Sequence, residues 1–281
     1  FWNGNPWTQP PSQRTAWTKN KSLPAFDPAT HEVLLYVGCT ASYDQRAQGI
    51  TQALLHLFET SGVRFGYLGE DEPCCGEAVL SVGHLEYFRE IACKTLVTFQ
   101  DHGVNTLVTI SPHCYDVFKN HYPSDDLAAP LQVFHYTQYL ALLLDAGRLS
   151  FGEKTNSAGK ETGKKIVTFQ DPCYLGRHNQ EYEAPRKILK AIPDIELVEM
   201  HHHKETGLCC GGGGGRMWLE TDPGERFSDL RTTEFIQTGA KVLATACPFC
   251  VVCMEDSVKG LADRDLHVLD IAEIAADALK A

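Results

Sequence analysis

The sequence predicts an α/β fold made of two duplicated βα domains, with mainly parallel sheets related by a pseudo-twofold axis. From residue 31 onward, short apolar runs alternate with amphipathic stretches, which is typical of βα units on a parallel sheet. The order of these runs repeats in the second half, together with cysteines about 135 positions apart. Self-similarity at a fixed offset indicates an internal duplication.

Each half should contain four strands, which are runs rich in branched and aromatic residues. In the first half these read VLLYV at 33–37, RFGYL at 64–68, TLVTI at 106–110 and LQVF at 131–134. In the second half they read KIVTF at 165–169, ELV at 196–198, VLAT at 242–245 and HVL at 267–269. Amphipathic stretches predict helices at 44–60, 84–102, 115–120 and 137–146, and further helices between the later strands.

Composition divides the chain into four parts. Residues 1–30, rich in Trp, Pro, Asn and Thr, predict an arm: either an ordered tail on its own domain or a linker from a preceding domain. Residues 31–150 form the first domain and residues 164–281 the second. Between them, residues 151–163 carry Gly, Ser, Thr and Lys with little apolar content, as linkers do.

Two cysteine sets of the same shape stand in this repeat, and nine of the eleven cysteines are in register. Each set has one cysteine after the first strand, a vicinal pair after the second and a Pro-containing motif after the third. The first set is Cys39, Cys74, Cys75 and Cys114, with Ser111 in the motif; the second set is Cys173, Cys209, Cys210, Cys247 and Cys250. Ligands gather at the carboxyl ends of parallel strands, so each set should converge on one point.

Vicinal cysteines favour an iron–sulfur cluster over the alternatives. A trans peptide holds their Cα atoms about 3.8 Å apart, whereas a relaxed disulfide needs roughly 4.4 to 6.8 Å. A single zinc ion is usually held by spaced pairs. A cluster offers neighbouring thiolates two different iron atoms.

These motifs resemble the CCG domain, the cysteine-rich domain found in the B-type and D-type subunits of heterodisulfide reductase and in glycolate oxidase iron–sulfur subunits. The resemblance, from Pro73-Cys74-Cys75-Gly76 and Leu208-Cys209-Cys210-Gly211 to Cys247-Pro248-Phe249-Cys250, covers residues 31–281. It implies a non-cubane 4Fe–4S cluster at the second site, on Cys173, Cys209, Cys210, Cys247 and Cys250. The stretch Asn5-Pro6-Trp7 is similar to the exit from a ferredoxin-like domain in this family.

The first site departs from the family pattern, because Ser111 stands where a cysteine is expected. A hydroxyl is a far poorer iron ligand than a thiolate. Three outcomes stay open: an altered iron–sulfur cluster on Cys39, Cys74, Cys75 and Cys114, a zinc or other ion on these thiols, or an empty relic. His113 would be a ligand or a packing residue.

Residues around the second site suggest further contacts. Gly211 to Gly215 predict close approach of backbone N–H groups to cluster sulfurs, with Gly211 and Gly212 binding the cofactor and a helix beginning there. Arg177 and Arg216 add positive charge or are solvated. Cys93 and Cys253, outside the register, are expected to pack in the core, and His201 to His203 to be solvated or to support ligands.

Composition restricts the partners. With 43% hydrophobic and 22% charged residues, the 281-residue chain is typical of a globular protein, and its net charge of −11 speaks against nucleic acid. No apolar run reaches the roughly 18 to 20 residues of a membrane span, and the first residues lack the pattern of a signal peptide. Cysteines spaced for a metal site fit a reducing compartment, so we expect a cytoplasmic location or the cytoplasmic face of a membrane complex.

Three functional hypotheses remain, and neither a P-loop nor a dinucleotide fingerprint is present. By resemblance, the first is an electron-transfer subunit of a heterodisulfide reductase-like oxidoreductase, with a ferredoxin-like domain, flavoprotein or quinone-reactive membrane subunit as partner. The phrase Asp171-Pro172-Cys173-Tyr174-Leu175-Gly176-Arg177 is most similar to relatives that link electron-transfer flavoprotein to quinone. The second is a disulfide or heterodisulfide reductase, and the third is a zinc-stabilised interaction module.

Overall fold

A computed structural model gives the structure of the chain. It describes residues 3–18, 21–122, 131–152, 164–219, 221–222, 225–261 and 265–279. The predicted linker lies outside the described residues from 153 to 163, and its role stays a prediction. The chain divides into two compact units, residues 1–139 and residues 140–281.

The first unit contains a four-stranded parallel sheet. Its strands are β1 (Val33–Tyr36), β2 (Phe65–Gly66), β3 (Thr106–Thr109) and β4 (Gln132–His135). They lie in the order β2-β1-β3-β4, and every neighbouring pair is parallel. All four residues of β1 are buried, as expected of a central strand covered on both faces.

The second unit repeats this sheet. Its strands are β5 (Lys165–Gln170), β6 (Ile195–Leu197), β7 (Val242–Thr245) and β8 (His267–Asp270). Their order, β6-β5-β7-β8, with parallel pairing throughout, is the same as that of the first sheet. The predicted duplicated α/β fold is therefore confirmed, while the pseudo-twofold axis stays a prediction.

Ten α-helices connect or flank these strands in the described residues. They are α1 (Cys39–Tyr43), α2 (Gln48–Thr60), α3 (Glu77–Ser81), α4 (Leu85–Asp101), α5 (Pro112–Asn120), α6 (Tyr136–Asp145), α7 (Glu183–Ala191), α8 (Phe227–Gln237), α9 (Pro248–Leu261) and α10 (Ile271–Asp277). The single helix predicted at 44–60 is wrong in its first turn. Asp44 is extended and its Oδ1 accepts the Ala47 N–H, which separates α1 from α2.

The glycine run after Cys210 does not begin a helix, contrary to the sequence prediction. Gly211, Gly214 and Gly215 have φ values of 85°, 62° and 78°, which an α-helix does not accommodate. A 3₁₀ turn follows at Arg216–Trp218, and α8 begins only at Phe227. In the first unit, by contrast, α3 starts at Glu77, directly after Gly76.

The N-terminal arm packs on the first unit. Two 3₁₀ turns, Pro11–Gln13 and Ala16–Thr18, bring Arg14 and Trp17 into buried positions. Further along, the Phe26 N–H donates to the Tyr67 carbonyl, and the Tyr67 N–H donates to the Pro24 carbonyl. Residues 24–26 thus lie along the edge of β2.

No helix in the described part of the chain is long and apolar enough to cross a membrane.

Candidate metal centres

The second cysteine set lies at the carboxyl ends of β5 and β7 and in the loop after β6. Cys173 follows Gln170, the last residue of β5, by three positions. Cys247 stands two residues after β7, and Pro248 begins α9, where its missing N–H costs nothing. Cys250 then falls on the first turn of α9, on the side of its neighbour Cys247.

The five thiols of this set are linked by contacts. Cys209 Sγ lies 3.8 Å from Cys173 Sγ, and Cys250 Sγ lies 3.3 Å from Cys210 Sγ. Cys250 also contacts Cys247, and Cys209 contacts Cys210. All of these cysteines are free thiols. The convergence predicted from the strand ends is thus observed for the whole set.

The thiols of this set resist ionisation in the protein alone. Hydrogen bonds with Cys210 and Cys247, together with burial, raise the pKa of Cys250 well above its ordinary value. Contact with Cys173 lowers the pKa of Cys209, but Cys210 and burial raise it further, so it too ends above its ordinary value. Metals bind thiolates, so an occupant must bring positive charge and displace thiol protons. Several soft sulfur donors in one buried place are the donor set of an iron–sulfur cluster.

The glycines after Cys210 give the backbone access to these sulfurs. The Gly211 N–H donates to Cys209 Sγ at 3.2 Å. A Cβ atom added to Gly212 would lie 2.7 Å from Cys253 Sγ and 3.8 Å from Cys210 Sγ, so only glycine fits without a shift. Cys253 is half-buried beside this set, and a cavity of about 120 Å³ is lined by Cys210, Gly211 and Cys253. The close approach predicted for these glycines is observed, and it fits a cluster.

Buried polar residues that sequence reasoning missed hold these loops. Arg186 binds both carboxylate oxygens of Asp171, at 2.7 and 2.9 Å, and thereby fixes the loop that leads to Cys173. Gln170 donates to the Leu208 carbonyl, next to Cys209, at 2.9 Å. Arg231, from α8, donates its Nε to Gln170 Oε1. The only sequence signal for Gln170 was its place at the end of a buried strand, directly before the cysteine loop.

The first cysteine set converges in the same way. Cys75 Sγ lies 3.2 Å from Cys114 Sγ, Cys39 contacts Cys74, and the Gly76 N–H donates to Cys74 Sγ at 3.5 Å. Contact with Cys39 lowers the pKa of Cys74, but Cys75 and burial raise it further, to about 12. These thiols therefore also resist ionisation without a bound cation.

Ser111 lies buried at the start of α5, and its hydroxyl has no hydrogen-bond partner among the described residues. The neighbouring His113 is buried too, and its Nδ1 lies 3.3 Å from Glu77 Oε1. This contact assigns His113 to the packing and polar support of the site.

A buried ion pair that the sequence did not predict adjoins the first set. Arg14 Nη2 lies 2.5 Å from Glu72 Oε1, with both side chains no more than 4% exposed. Arg14 Nη1 is 3.6 Å from Cys39 Sγ, and Glu72 accepts the N–H groups of Val37 and Gly38. The arm thus supplies one wall of this site. In the second set, Gly207 occupies the position equivalent to Glu72.

Other residues singled out in the sequence lie away from the thiols. Cys93 is exposed on α4, so the prediction of core packing is wrong: its helix position faces solvent. Arg177 donates to the Gly207 carbonyl at 2.7 Å, and Arg216 is placed over the Phe227 ring. The His202 ring contacts Glu234, and His203 contacts the Met200 carbonyl, in line with a supporting role.

The present side-chain conformations do not form a site for a single ion. Among the described residues, no three His, Cys, Asp or Glu side chains are spaced to hold one metal ion. Ligation by the nine cysteines is therefore a proposal.

A second cavity, of about 300 Å³, lies at the opposite end of the second sheet. Lys165, Ile192 and Ile274 are among the residues that line it, and none of its lining residues is a cysteine. This cavity is therefore separate from the candidate metal centre.

Comparison with known proteins agrees with the cysteine pattern. The family model CCG, described as a cysteine-rich domain, matches residues 33–119 and 167–255. These two segments contain the first and the second cysteine set.

Relatives extend this likeness over nearly the whole chain. EtfAB:quinone oxidoreductase of Syntrophomonas wolfei is 35% identical over 99% of the chain and 39% of its own length. The probable iron-sulfur-binding oxidoreductase FadF of Bacillus subtilis is 36% identical over 98% of the chain and 39% of its own length. A subunit of the dihydromethanophenazine:CoB–CoM heterodisulfide reductase of Methanosarcina barkeri is 32% identical over 98% and 65%, respectively. The chain thus spans about two fifths of the first two relatives.

Among solved structures, glutamate racemase of Francisella tularensis matches 88% of the chain and 79% of its own length, with 12% identity and a TM-score of 0.40. At these values the likeness carries no argument.

Proposed function

Because the chain belongs to the CCG cysteine-rich domain family, we propose that it is the iron–sulfur electron-transfer part of a heterodisulfide reductase-like oxidoreductase. A non-cubane 4Fe–4S cluster is held by Cys173, Cys209, Cys210, Cys247 and Cys250. The observation that carries the proposal is the contact network of these five free thiols at the strand ends.

The residues of the second site have separate roles in this proposal. A cluster accepts and donates single electrons. The five cysteines bind it as thiolates, and the N–H of Gly211 stabilises negative charge on Cys209. Gly212 leaves room for the sulfurs of Cys210 and Cys253. Arg186 and Gln170 keep the cysteine loops in place, which limits reorganisation when the charge changes.

The partners follow from the same likeness and are also proposals. A ferredoxin-like domain or a flavoprotein would donate electrons, and a quinone-reactive membrane subunit would accept them. Support comes from a relative named for quinone oxidoreduction, 35% identical to this chain. The proposed location is the cytoplasm or the cytoplasmic face of a membrane complex.

Two alternatives have specific support. A relative named as a heterodisulfide reductase subunit is 32% identical, which favours a catalytic disulfide reductase. However, the first site has Ser111 in place of a thiol, and we therefore prefer electron relay to a mechanism with two equal clusters. The four thiols of the first site favour an altered cluster or zinc there, and zinc alone in both units would make the chain an interaction module.

Metal analysis of anaerobically purified protein tests the proposal. We expect about four irons with acid-labile sulfide at the second site, and a paramagnetic signal in one redox state. Cys247→Ser should remove most of this iron, because it takes away one ligand. Cys93→Ser, a change at an exposed cysteine outside both sets, is the matched control and should keep it.

The outcomes separate the three hypotheses. Zinc without iron in the wild-type protein would contradict the proposal and leave the interaction module. Iron content equal in Cys247→Ser and wild type would contradict the ligand set. Rapid reoxidation of the reduced cluster by disulfide substrates, with thiols as products, would favour the disulfide reductase.

A further inference from the structure

Arg231 is a fully buried cation in the second unit. It lies on α8, and its exposed fraction is 0%. A buried guanidinium is costly unless its charge is paired and its five N–H groups have acceptors. The surroundings of Arg231 therefore indicate what it is there to bind.

The described residues satisfy only part of this side chain. Its Nε donates to Gln170, and its Nη1 donates to the His202 carbonyl at 2.6 Å and to Glu234 Oε2 at 2.5 Å. Its Nη2 is buried and has no hydrogen-bond partner among the described residues. One carboxylate, itself shared with His202, faces this cation.

The charge balance agrees with the incomplete hydrogen bonding. Burial lowers the pKa of Arg231 below its ordinary value, although Glu234, Asp171 and Cys250 act in the opposite direction. Arg186, also buried, gives the contrast: it binds Asp171 and Glu199 with both sides of its fork, and its pKa is raised. Of these two buried arginines, Arg231 is the one whose site still lacks negative charge.

Two contacts place this cation beside the second cysteine set. Gln170, its Nε partner, is bonded to the Leu208 carbonyl, next to Cys209. Cys250 is close enough for its charge to act on the guanidinium. An anionic group on the five thiolates would therefore lie within the reach of the field of Arg231.

We propose that Arg231 is a cofactor-binding residue of the second site, whose Nη2 donates hydrogen bonds to the anionic cluster and whose charge stabilises the reduced form. The inference rests on the proposed function, because it needs a cluster on the five cysteines. Positive charge and hydrogen bonds near a cluster raise its reduction potential, since reduction adds negative charge.

A redox titration of the cluster, followed by its spectrum, tests this role. In Arg231→Gln the midpoint potential should fall by about 59 mV or more, a tenfold change in the one-electron equilibrium constant. Arg231→Lys keeps the charge but not the fork and should fall less. Glu234→Gln removes the competing carboxylate and should shift the potential upward. Lys259→Gln, which removes a cation that is 75% exposed, should leave it unchanged.

The opposite signs for the Arg231 and Glu234 variants distinguish a cofactor contact from structural support. If Arg231→Gln does not fold, as judged by circular dichroism, Arg231→Lys and Glu234→Gln decide the matter. A wild-type potential in the Arg231 variants, or a shift of the same sign in Glu234→Gln, would overturn the inference. Absence of iron from the wild type would instead contradict the proposed function itself.

Discussion

A single position separates the two cysteine sets chemically. Ser111 and Cys247 both precede a proline that begins a helix, α5 or α9. A serine at the start of a helix usually accepts an N–H of the first turn, yet the Ser111 side chain makes no such bond. Its buried oxygen lies close in sequence to the thiol-bearing turn of Cys114 and has no partner among the described residues. We infer that Ser111 occupies a ligand position and contributes little as a cap.

Restoring a thiol at this position should restore a metal ligand. In Ser111→Cys we expect more iron per chain than in the wild type, because a thiolate supplies the charge and softness that a hydroxyl lacks. The metal-free protein should also gain roughly 1 kcal/mol of stability, since an unsatisfied buried hydroxyl is removed. Iron analysis and denaturant unfolding measure the two effects.

The control for this change is Ser61→Cys, a buried serine at the end of α2, outside both cysteine sets. It should leave the iron content unchanged. Equal iron in Ser111→Cys and wild type, with both folded, would show that the first site does not use this position.

At the level of residues, spacing predicted the thiols but not the charges around them. The cysteines repeat in sequence, so their convergence follows once the strands are placed. Arg14 and Glu72 are 58 positions apart, and no local pattern connects them. Arg231 gave no signal either, because a charged residue in a helix is expected to face solvent.

At the level of elements, strands were more predictable than the turns that carry the cysteines. All eight strands lie where the apolar runs placed them, since a strand buried on both faces needs such a run. The short helices α1 and α3 were missed, because five residues are too few for a helical period. The glycine run was wrongly expected to begin a helix, although positive φ angles exclude this.

The edge of β2 depends on one glycine. A Cβ atom at Gly66 would lie 2.5 Å from Phe26 Cα and 2.9 Å from Phe26 N, both backbone atoms. In Gly66→Ala the arm at 24–26 should therefore leave the strand edge, at a cost of about 1–3 kcal/mol. Limited proteolysis should cut this segment faster, and denaturant unfolding should show the loss.

Gly260→Ala provides a matched control. This glycine lies in α9, and nothing is within 4 Å of an added Cβ. Alanine there should stabilise the protein by roughly 0.5–1 kcal/mol, because it restricts the unfolded chain and favours the helix. Unchanged protease sensitivity of the arm in Gly66→Ala would contradict the close-approach argument.

At the level of the whole molecule, one topology carries two different electrostatic solutions. The first set has an ion pair, Arg14 with Glu72, whose charges balance each other within the protein. The second set has Arg231, whose charge is balanced only in part. The duplication was visible in the sequence, but this difference was not, because it depends on residues outside the repeated motif.

This difference predicts that metal removal affects the two units unequally. Hydrogen exchange should be compared between metal-loaded protein and protein stripped by a chelator under reducing conditions. In the second unit, exchange should rise at 173–178, 207–218 and 247–253, because five thiols and Arg231 lose the group that orders them. In the first unit, exchange at 37–43 and 72–76 should change less, since Glu72 keeps its bonds to Arg14 and to the N–H groups of Val37 and Gly38. An equal rise in both units would instead show that the first set also holds a metal that its loops need for order, and it would favour the reductase with two sites over electron relay through one.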